Sequence, residues 1–324
     1  MQENRPVAPQ GGEEETVSLK YRDKKEGLKA AILGFFIGLA VIVPGVSGSA
    51  VAIMMKLYER LLYAIANIIK KFKAAVLFLL PIAAGGIVGF ALGFLAVQQL
   101  LELIPFAIIL FFAGLMLGAY PSIYDEYKKE KHTPLRIVLL VLGTAIPVAI
   151  SLCSSLLSEG SIDLSNLQWY HYVLYLVLGF VMAITQLVPG LSATAFLMAC
   201  GTYTPLFESV SLTYWKENPM VFLVYGLLAV GFLVGLVLIS KVVGFLLKKW
   251  RGATFHLIGG LSLGSIVSMV ISPEAFACYR EWSNGSIDWL DLGLGLGLFV
   301  LGVALAFLFY FYESHKKAKE AANA

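Results

Sequence analysis

Two short polar breaks in an apolar chain hold residue types that can bind an anion. The first reads Val43-Pro44-Gly45-Val46-Ser47-Gly48-Ser49, and the second, 145 residues later, reads Val188-Pro189-Gly190-Leu191-Ser192-Ala193-Thr194. Proline has no N–H and ends an incoming helix. The glycine after it permits a turn. Ser47 or Ser49 in the first break, and Ser192 or Thr194 in the second, stand where a hydroxyl caps the outgoing helix. Each break is therefore expected to present a helix N-terminus with free N–H groups and about half a positive charge. That is an anion site with no need of a basic side chain. Two such N-termini meeting near the middle of a bilayer would hold one phosphate or carboxylate. The candidate binding residues are Pro44, Gly45, Val46, Ser47, Gly48 and Ser49 with Pro189, Gly190, Leu191, Ser192, Ala193 and Thr194. A simple kink, or close helix packing through small residues, asks for similar types; two copies at matching positions weaken that reading.

Other polar residues flank the breaks. Thr185 and Gln186 precede the second one, where they either line a cavity or bond a neighbouring helix. Lys56, Glu59 and Arg60 lie at the mouth of the first, placed to meet an anionic headgroup or to snorkel to the interface. Trp169, His171 and Tyr172 read as an aromatic belt. Cys153, Cys200 and Cys278 lie far apart, so no metal site or disulfide framework is expected. No histidine or paired carboxylate sits beside either break, so no catalytic set and no cofactor are expected.

The elements that hold these breaks must be membrane helices. Of 324 residues, 59% are hydrophobic and 14% charged, against about 25% charged in a soluble domain. Several apolar runs reach the ~20 residues that cross a bilayer, and none alternates as barrel strands of about ten residues would. The fold class expected is an all-α polytopic membrane protein built from two inverted-topology repeats, each a re-entrant helical hairpin followed by three transmembrane helices. A disordered tail is expected over residues 1–25. The first repeat, 26–157, holds a hairpin at 30–58 and spans at 74–100, 105–120 and 135–157. The second, 158–312, holds a hairpin at 172–203 and spans at 219–247, 255–271 and 289–312, with a second tail at 313–324.

Residue matches support the duplication. At an offset of 145, Leu33-Gly34-Phe35 matches Leu178-Gly179-Phe180 and Tyr58 matches Tyr203; one residue later in offset, Gly114-Leu115-Met116-Leu117-Gly118 matches Gly260-Leu261-Ser262-Leu263-Gly264. Duplicated halves with broken helices are a transporter build, with the substrate site where the halves meet. If both breaks are hairpins, 22 of the 24 Lys and Arg fall on one side, leaving Lys216 and Arg280 on the other. The positive-inside rule makes the first side cytoplasmic, with both termini there.

The two breaks, with Tyr58-Glu59 after the first and Gly201-Thr202-Tyr203 after the second, resemble the PopT-type polyprenyl-phosphate transporter family over roughly residues 26–312. The resemblance implies a flippase in the cytoplasmic membrane. It would return undecaprenyl phosphate, or a related polyprenyl phosphate, from the outer to the inner leaflet for reuse as a carrier lipid in cell-wall assembly. The partners implied are that lipid and the bilayer, with a homodimer left open and no nucleic acid. Three positions depart from the family pattern: Val41 where many members have Asp, Ser49 where Thr is common, and Ala193 in place of Gly. The loss of the acid at Val41 leaves open which group would carry a coupling proton. A transporter of a small soluble anion and a membrane lipid phosphatase are the competing classes. A closed vestibule would favour the former; a nucleophile or base beside arginine or a metal would favour the latter.

Overall fold

The computed structural model describes residues 17–42, 48–128, 130–156 and 162–322. Val43, Pro44, Gly45, Val46 and Ser47 of the first break lie outside the described residues. The described chain is helical without a strand. In order, the helices are α1 (Lys24–Ile42), α2 (Gly48–Met54), α3 (Tyr58–Ala66), α4 (Phe72–Leu92), α5 (Gln98–Leu103), α6 (Pro105–Tyr127), α7 (Pro134–Leu156) and α8 (Trp169–Leu187). They continue with α9 (Ala193–Ala199), α10 (Tyr203–Glu208), α11 (Leu212–Glu217), α12 (Val221–Lys249), α13 (Arg251–Val270), α14 (Pro273–Asn284) and α15 (Trp289–Ala322). A π-turn over Gly93–Val97 joins α4 to α5.

Element starts repeat along the chain. Helices α1, α2 and α3 begin at Lys24, Gly48 and Tyr58, and α8, α9 and α10 begin 145 residues later at Trp169, Ala193 and Tyr203. Each break thus lies between a 19-residue arm and a 7-residue arm. The long arms exceed the short apolar runs expected from sequence. Lys24 to Lys29 and Trp169 to His171 are polar or amphipathic, yet they join the helix. At ~1.5 Å per residue a 19-residue arm is about 28 Å long, close to the ~30 Å of a hydrocarbon core. Seven helical segments are long and apolar enough to cross a membrane. Six overlap the expected spans, and the seventh is α8, expected as the entering arm of a hairpin.

The long helices pack in parallel pairs through glycines. A Cβ on Gly34 or Gly38 of α1 would stand 1.9 or 2.0 Å from the Ile82 or Gly86 carbonyl of α4; on Gly85 or Gly89 it would stand 1.9 Å from the Ala31 or Phe35 carbonyl. Residue numbers rise together, so α1 and α4 run parallel. Helices α8 and α12 do likewise, Gly231 meeting the Leu176 carbonyl and Gly235 the Phe180 carbonyl. Two successive long helices can run parallel only if the chain between them comes back. In the first half α2 and α3 make that return; in the second, α9 to α11 do.

The remaining long helices exchange partners between the halves. Gly114 and Gly118 of α6 rest on Phe299 and Val303 of α15, and Gly260 and Gly264 of α13 on Leu140 and Thr144 of α7. Helices α6 and α13, which begin 146 residues apart, run antiparallel at the centre. The Tyr127 ring, ending α6, lies 4.8 Å from that of His256 near the start of α13. Met269, near the end of α13, clusters with Ile108 and Ile109 near the start of α6.

Polar contacts differ at the two ends of this bundle. All seven ion pairs among the described residues lie at the end where α1 begins and α6 finishes. At the other end Asp291 of α15, 3% exposed, caps α6 across 185 residues of sequence. Its carboxylate accepts the Phe106 N–H at 3.1 Å and the Ala107 N–H at 2.8 Å. The described parts of both expected tails, residues 17–25 and 313–322, adjoin the helical body. Leu19 is buried, the Tyr21 hydroxyl donates to the Phe78 carbonyl, and Arg60 donates to the Ser18 and Lys20 carbonyls. Beyond residue 312, α15 continues as helix to Ala322, where the Glu, Lys and Ala of this stretch are strong helix formers, and Lys29 pairs with Glu313 at 2.8 Å.

Candidate functional site

The second break is seated on the middle of α13. Helix α8 ends at Leu187, and the next residue, Val188, is extended. Pro189 is fully buried. Gly190 has φ +91°, and a Cβ there would stand 2.1 Å from the Leu261 carbonyl oxygen. Glycine is needed twice over, for the backbone angle and for the approach. Ser192 then caps α9: its Oγ accepts the Ala195 N–H at 3.3 Å and lies 2.9 Å from the Thr194 Oγ1. The expected capping role of Ser192 is therefore present. Leu191 and Ala193 complete the turn, half-buried.

Unsatisfied polar atoms gather around this seat. The Gln186 Oε1 and the Ser262 Oγ are buried without a hydrogen-bond partner. Gln186 lies in the last turn of α8, four residues before Gly190, and Ser262 follows the leucine on which Gly190 rests. Buried polar side-chain atoms are paired in the large majority of cases, so two orphans flanking one break make it the candidate site for a polar ligand. Thr185 donates to the Met182 carbonyl of its own helix at 2.8 Å. Thr185, Ser49, Ser192 and Ser265 each have an interaction partner. In the first element, Gly48 and Ser49 open α2 and are both buried, Ser49 at 2% exposure.

The two broken elements touch at the far end of α8. The Tyr58 hydroxyl, opening α3, donates to the Leu187 carbonyl at 2.7 Å. Burial holds its phenol well above the usual tyrosine range, so it remains a neutral donor. Around it the three flanking residues singled out from sequence form an ionic lattice. Lys56 lies 3.5 Å from Glu126, Arg251 reaches Glu59 at 2.8 Å and Glu126 at 2.7 Å, and Arg60 pairs with Glu26. Lys56, Tyr58, Glu59, Arg60, Glu126 and Arg251 line a cavity of about 290 Å³ there.

Ser262, Glu126 and Arg251 were not legible as site residues. For Ser262 a signal existed, since it is a serine where the matching span has Met116. Glu126 and Arg251 end apolar runs and read only as interface charges.

Sequence comparison places this architecture. A profile described as VCA0040-like, undecaprenyl phosphate translocase-like, matches residues 37–287, which include both breaks. The chain belongs to this family. It is similar to a protein of Vibrio cholerae serotype O1 named polyprenyl-phosphate transporter, 26% identical over 253 residues, or 74% of this chain and 76% of that one. It is also similar to a Staphylococcus aureus protein of the same name, 28% identical over 246 residues, or 73% of this chain and 83% of that one. No solved structure matches it. The expected family is thus shown, over a stretch spanning both breaks and the helices from α2 to α14.

Proposed function

We propose that the chain carries undecaprenyl phosphate, or a related polyprenyl phosphate, from the outer to the inner leaflet of the cytoplasmic membrane. The phosphate sits between the two breaks, residues 44–49 and 185–194, and no bond is made or broken. In this reading residues 26–157 and 158–312 are inverted repeats, and the two broken elements are re-entrant from opposite faces. The parallel pairing of α1 with α4 and of α8 with α12 supports re-entrance. The antiparallel packing of the matching helices α6 and α13 supports inversion. In this reading the ion-paired end and both termini are cytoplasmic, which the Lys and Arg at that end support.

The observation that carries the reading is the pair of orphaned atoms beside the second break, inside an apolar chain of this family. A phosphate oxygen accepts hydrogen bonds. The Ser262 hydroxyl donates one, and the Gln186 amide, whose oxygen and nitrogen interchange by a flip, donates another. The first-turn N–H groups of α9 add to these. Because α9 has only 7 residues, the site rests more on these individual donors than on a large helix dipole.

The test is the double variant Gln186→Leu with Ser262→Ala. Neither atom has a protein partner, so apolar replacements break no hydrogen bond and leave the fold intact. Uptake of undecaprenyl phosphate into proteoliposomes is expected to fall at least tenfold. Wild-type uptake by the folded double variant would refute the site. Wild-type uptake of inorganic phosphate, with none of the lipid, would replace the lipid with a soluble anion.

A further inference from the structure

The two hairpin mouths are built from matching residues but hold different chemistry. At an offset of 145, Ile53, Lys56, Tyr58, Glu59 and Arg60 correspond to Met198, Gly201, Tyr203, Thr204 and Pro205. The first set lines the cavity of about 290 Å³, and the second lines one of about 530 Å³ at the opposite end of the bundle. The wider mouth has no ion pair at the corresponding positions: Thr204 stands for Glu59, Gly201 for Lys56 and, at an offset of 146, Ser272 for Glu126. The ionic lattice belongs to one mouth alone.

Lys56 is the residue that most needs explaining. Its φ is +58°, and it is the one non-glycine among the described residues with a positive φ. Its counterpart Gly201 has φ +65°, so the same left-handed turn is made by the residue suited to it. A lysine in this conformation is strained, and such strain persists at functional positions. Its own ion pair does not offset that strain. The partner, Glu126, is 3.5 Å away, both side chains are more than a fifth exposed, and Arg251 already occupies the same carboxylate.

We infer that the Lys56 mouth is a second phosphomonoester site, distinct from the breaks. There a phosphate headgroup takes Lys56 and Arg251 from the carboxylates Glu126 and Glu59, and in doing so releases the lattice that ties α3 to α6 and α13. The Arg251 fork, now divided between two carboxylates, can instead grip one phosphate by two N–H donors. Lys56 adds a point charge from the turn between the two arms. This rests on the polyprenyl-phosphate reading and deepens it: the phosphate is handed from uncharged donors at the breaks to cations at the cytoplasmic mouth.

The test uses octyl phosphate, a soluble alkyl phosphomonoester, on the purified full-length protein in detergent. Wild type is expected to bind it, with a rise in thermal midpoint that octanol does not produce. Lys56→Gly relieves the backbone strain, so the unliganded variant should melt about 2 °C higher, while its affinity for octyl phosphate falls at least tenfold. Lys56→Arg, which keeps the cation in the strained turn, should bind within about threefold of wild type. Equal affinity in wild type and Lys56→Gly, or no binding to wild type, would overturn the inference. Intact octyl phosphate binding with this variant pattern, but no transport of undecaprenyl phosphate in liposomes, would instead refute the proposed function.

Discussion

Gly190→Ala is the sharpest single perturbation of the second break. The backbone there has φ +91°, which L residues adopt at a cost of about 1–3 kcal/mol. The new methyl would also stand 2.1 Å from the Leu261 oxygen and 2.7 Å from the Ser262 nitrogen. Both atoms are helix backbone in α13 and cannot rotate away as a side-chain tip would. Overpacking of this kind adds about 1–3 kcal/mol. Together the two effects come to about 2–6 kcal/mol, enough to lift the break off α13. Gly244→Ala in α12 is the control. Nothing lies within 4 Å of a Cβ there, and alanine is favoured over glycine inside a helix by about 0.5–1 kcal/mol. Thermal midpoints in detergent should fall for Gly190→Ala and hold or rise for Gly244→Ala. Uptake of undecaprenyl phosphate should drop below a tenth for the first and persist for the second. A Gly190→Ala protein that melts and transports like wild type would refute the seating of the break on α13.

Three further outcomes follow from the same contacts. Asp291→Asn should destabilise by about 1.5–3 kcal/mol, because a charged cap on two buried N–H groups becomes a neutral one with a single oxygen; an unchanged thermal midpoint would count against the cap. Tyr58→Phe should cost about 1 kcal/mol by removing the donor to the Leu187 carbonyl, seen as faster hydrogen exchange at the end of α8; unchanged exchange would show that this bond does not tie the two elements. Pro44→Ala with Pro189→Ala should abolish uptake in a protein that still folds, by letting each arm extend as helix; near-normal uptake would make the breaks mere kinks.

The spans were legible because a bilayer demands long apolar runs, and the second break because Pro189-Gly190 cannot continue a helix. The partnership of helices was not. In water, an apolar stripe on a helix tells which face meets the protein. Here α4 and α12 are apolar all round, since lipid and protein ask for similar side chains. The pairing of α7 with α13 and of α15 with α6 is written instead in glycines such as Gly114 and Gly260, whose role appears only when the facing carbonyls are known. The lengths of α1 and α8 were missed for a related reason. Their first turns are charged or aromatic, which hydropathy excludes and helix propensity allows. The lattice of Lys56, Glu59, Glu126 and Arg251 joins residues up to 195 positions apart, and no spacing or motif announces that they meet.

The energetics of import supply the last prediction. A phosphomonoester carries about −1.5 to −2 charges near neutral pH. Moving it toward a negative interior costs about 2.3 kcal/mol per charge per 100 mV, so roughly 3–5 kcal/mol per 100 mV for the whole headgroup. A proton travelling with the phosphate removes about 2.3 kcal/mol of this per 100 mV. The acid expected near the first break is replaced by Val41, so a proton-coupled form of the proposal needs another group to hold that proton. Glu274, opening α14 at the end opposite the ionic lattice, has one carboxyl oxygen buried with no hydrogen-bond partner. Tyr203, the counterpart of Tyr58, and Cys278 lie within electrostatic reach, and no basic side chain is paired with Glu274 among the described residues. A carboxyl so placed is the candidate carrier of that proton. Uptake into proteoliposomes should therefore quicken when the outside is made one pH unit more acidic than the inside, and Glu274→Gln should flatten that response while leaving octyl phosphate binding intact. Uptake that ignored both an imposed pH gradient and an imposed potential would refute proton coupling. Uptake by Glu274→Gln that kept the wild-type pH response would move the proton elsewhere.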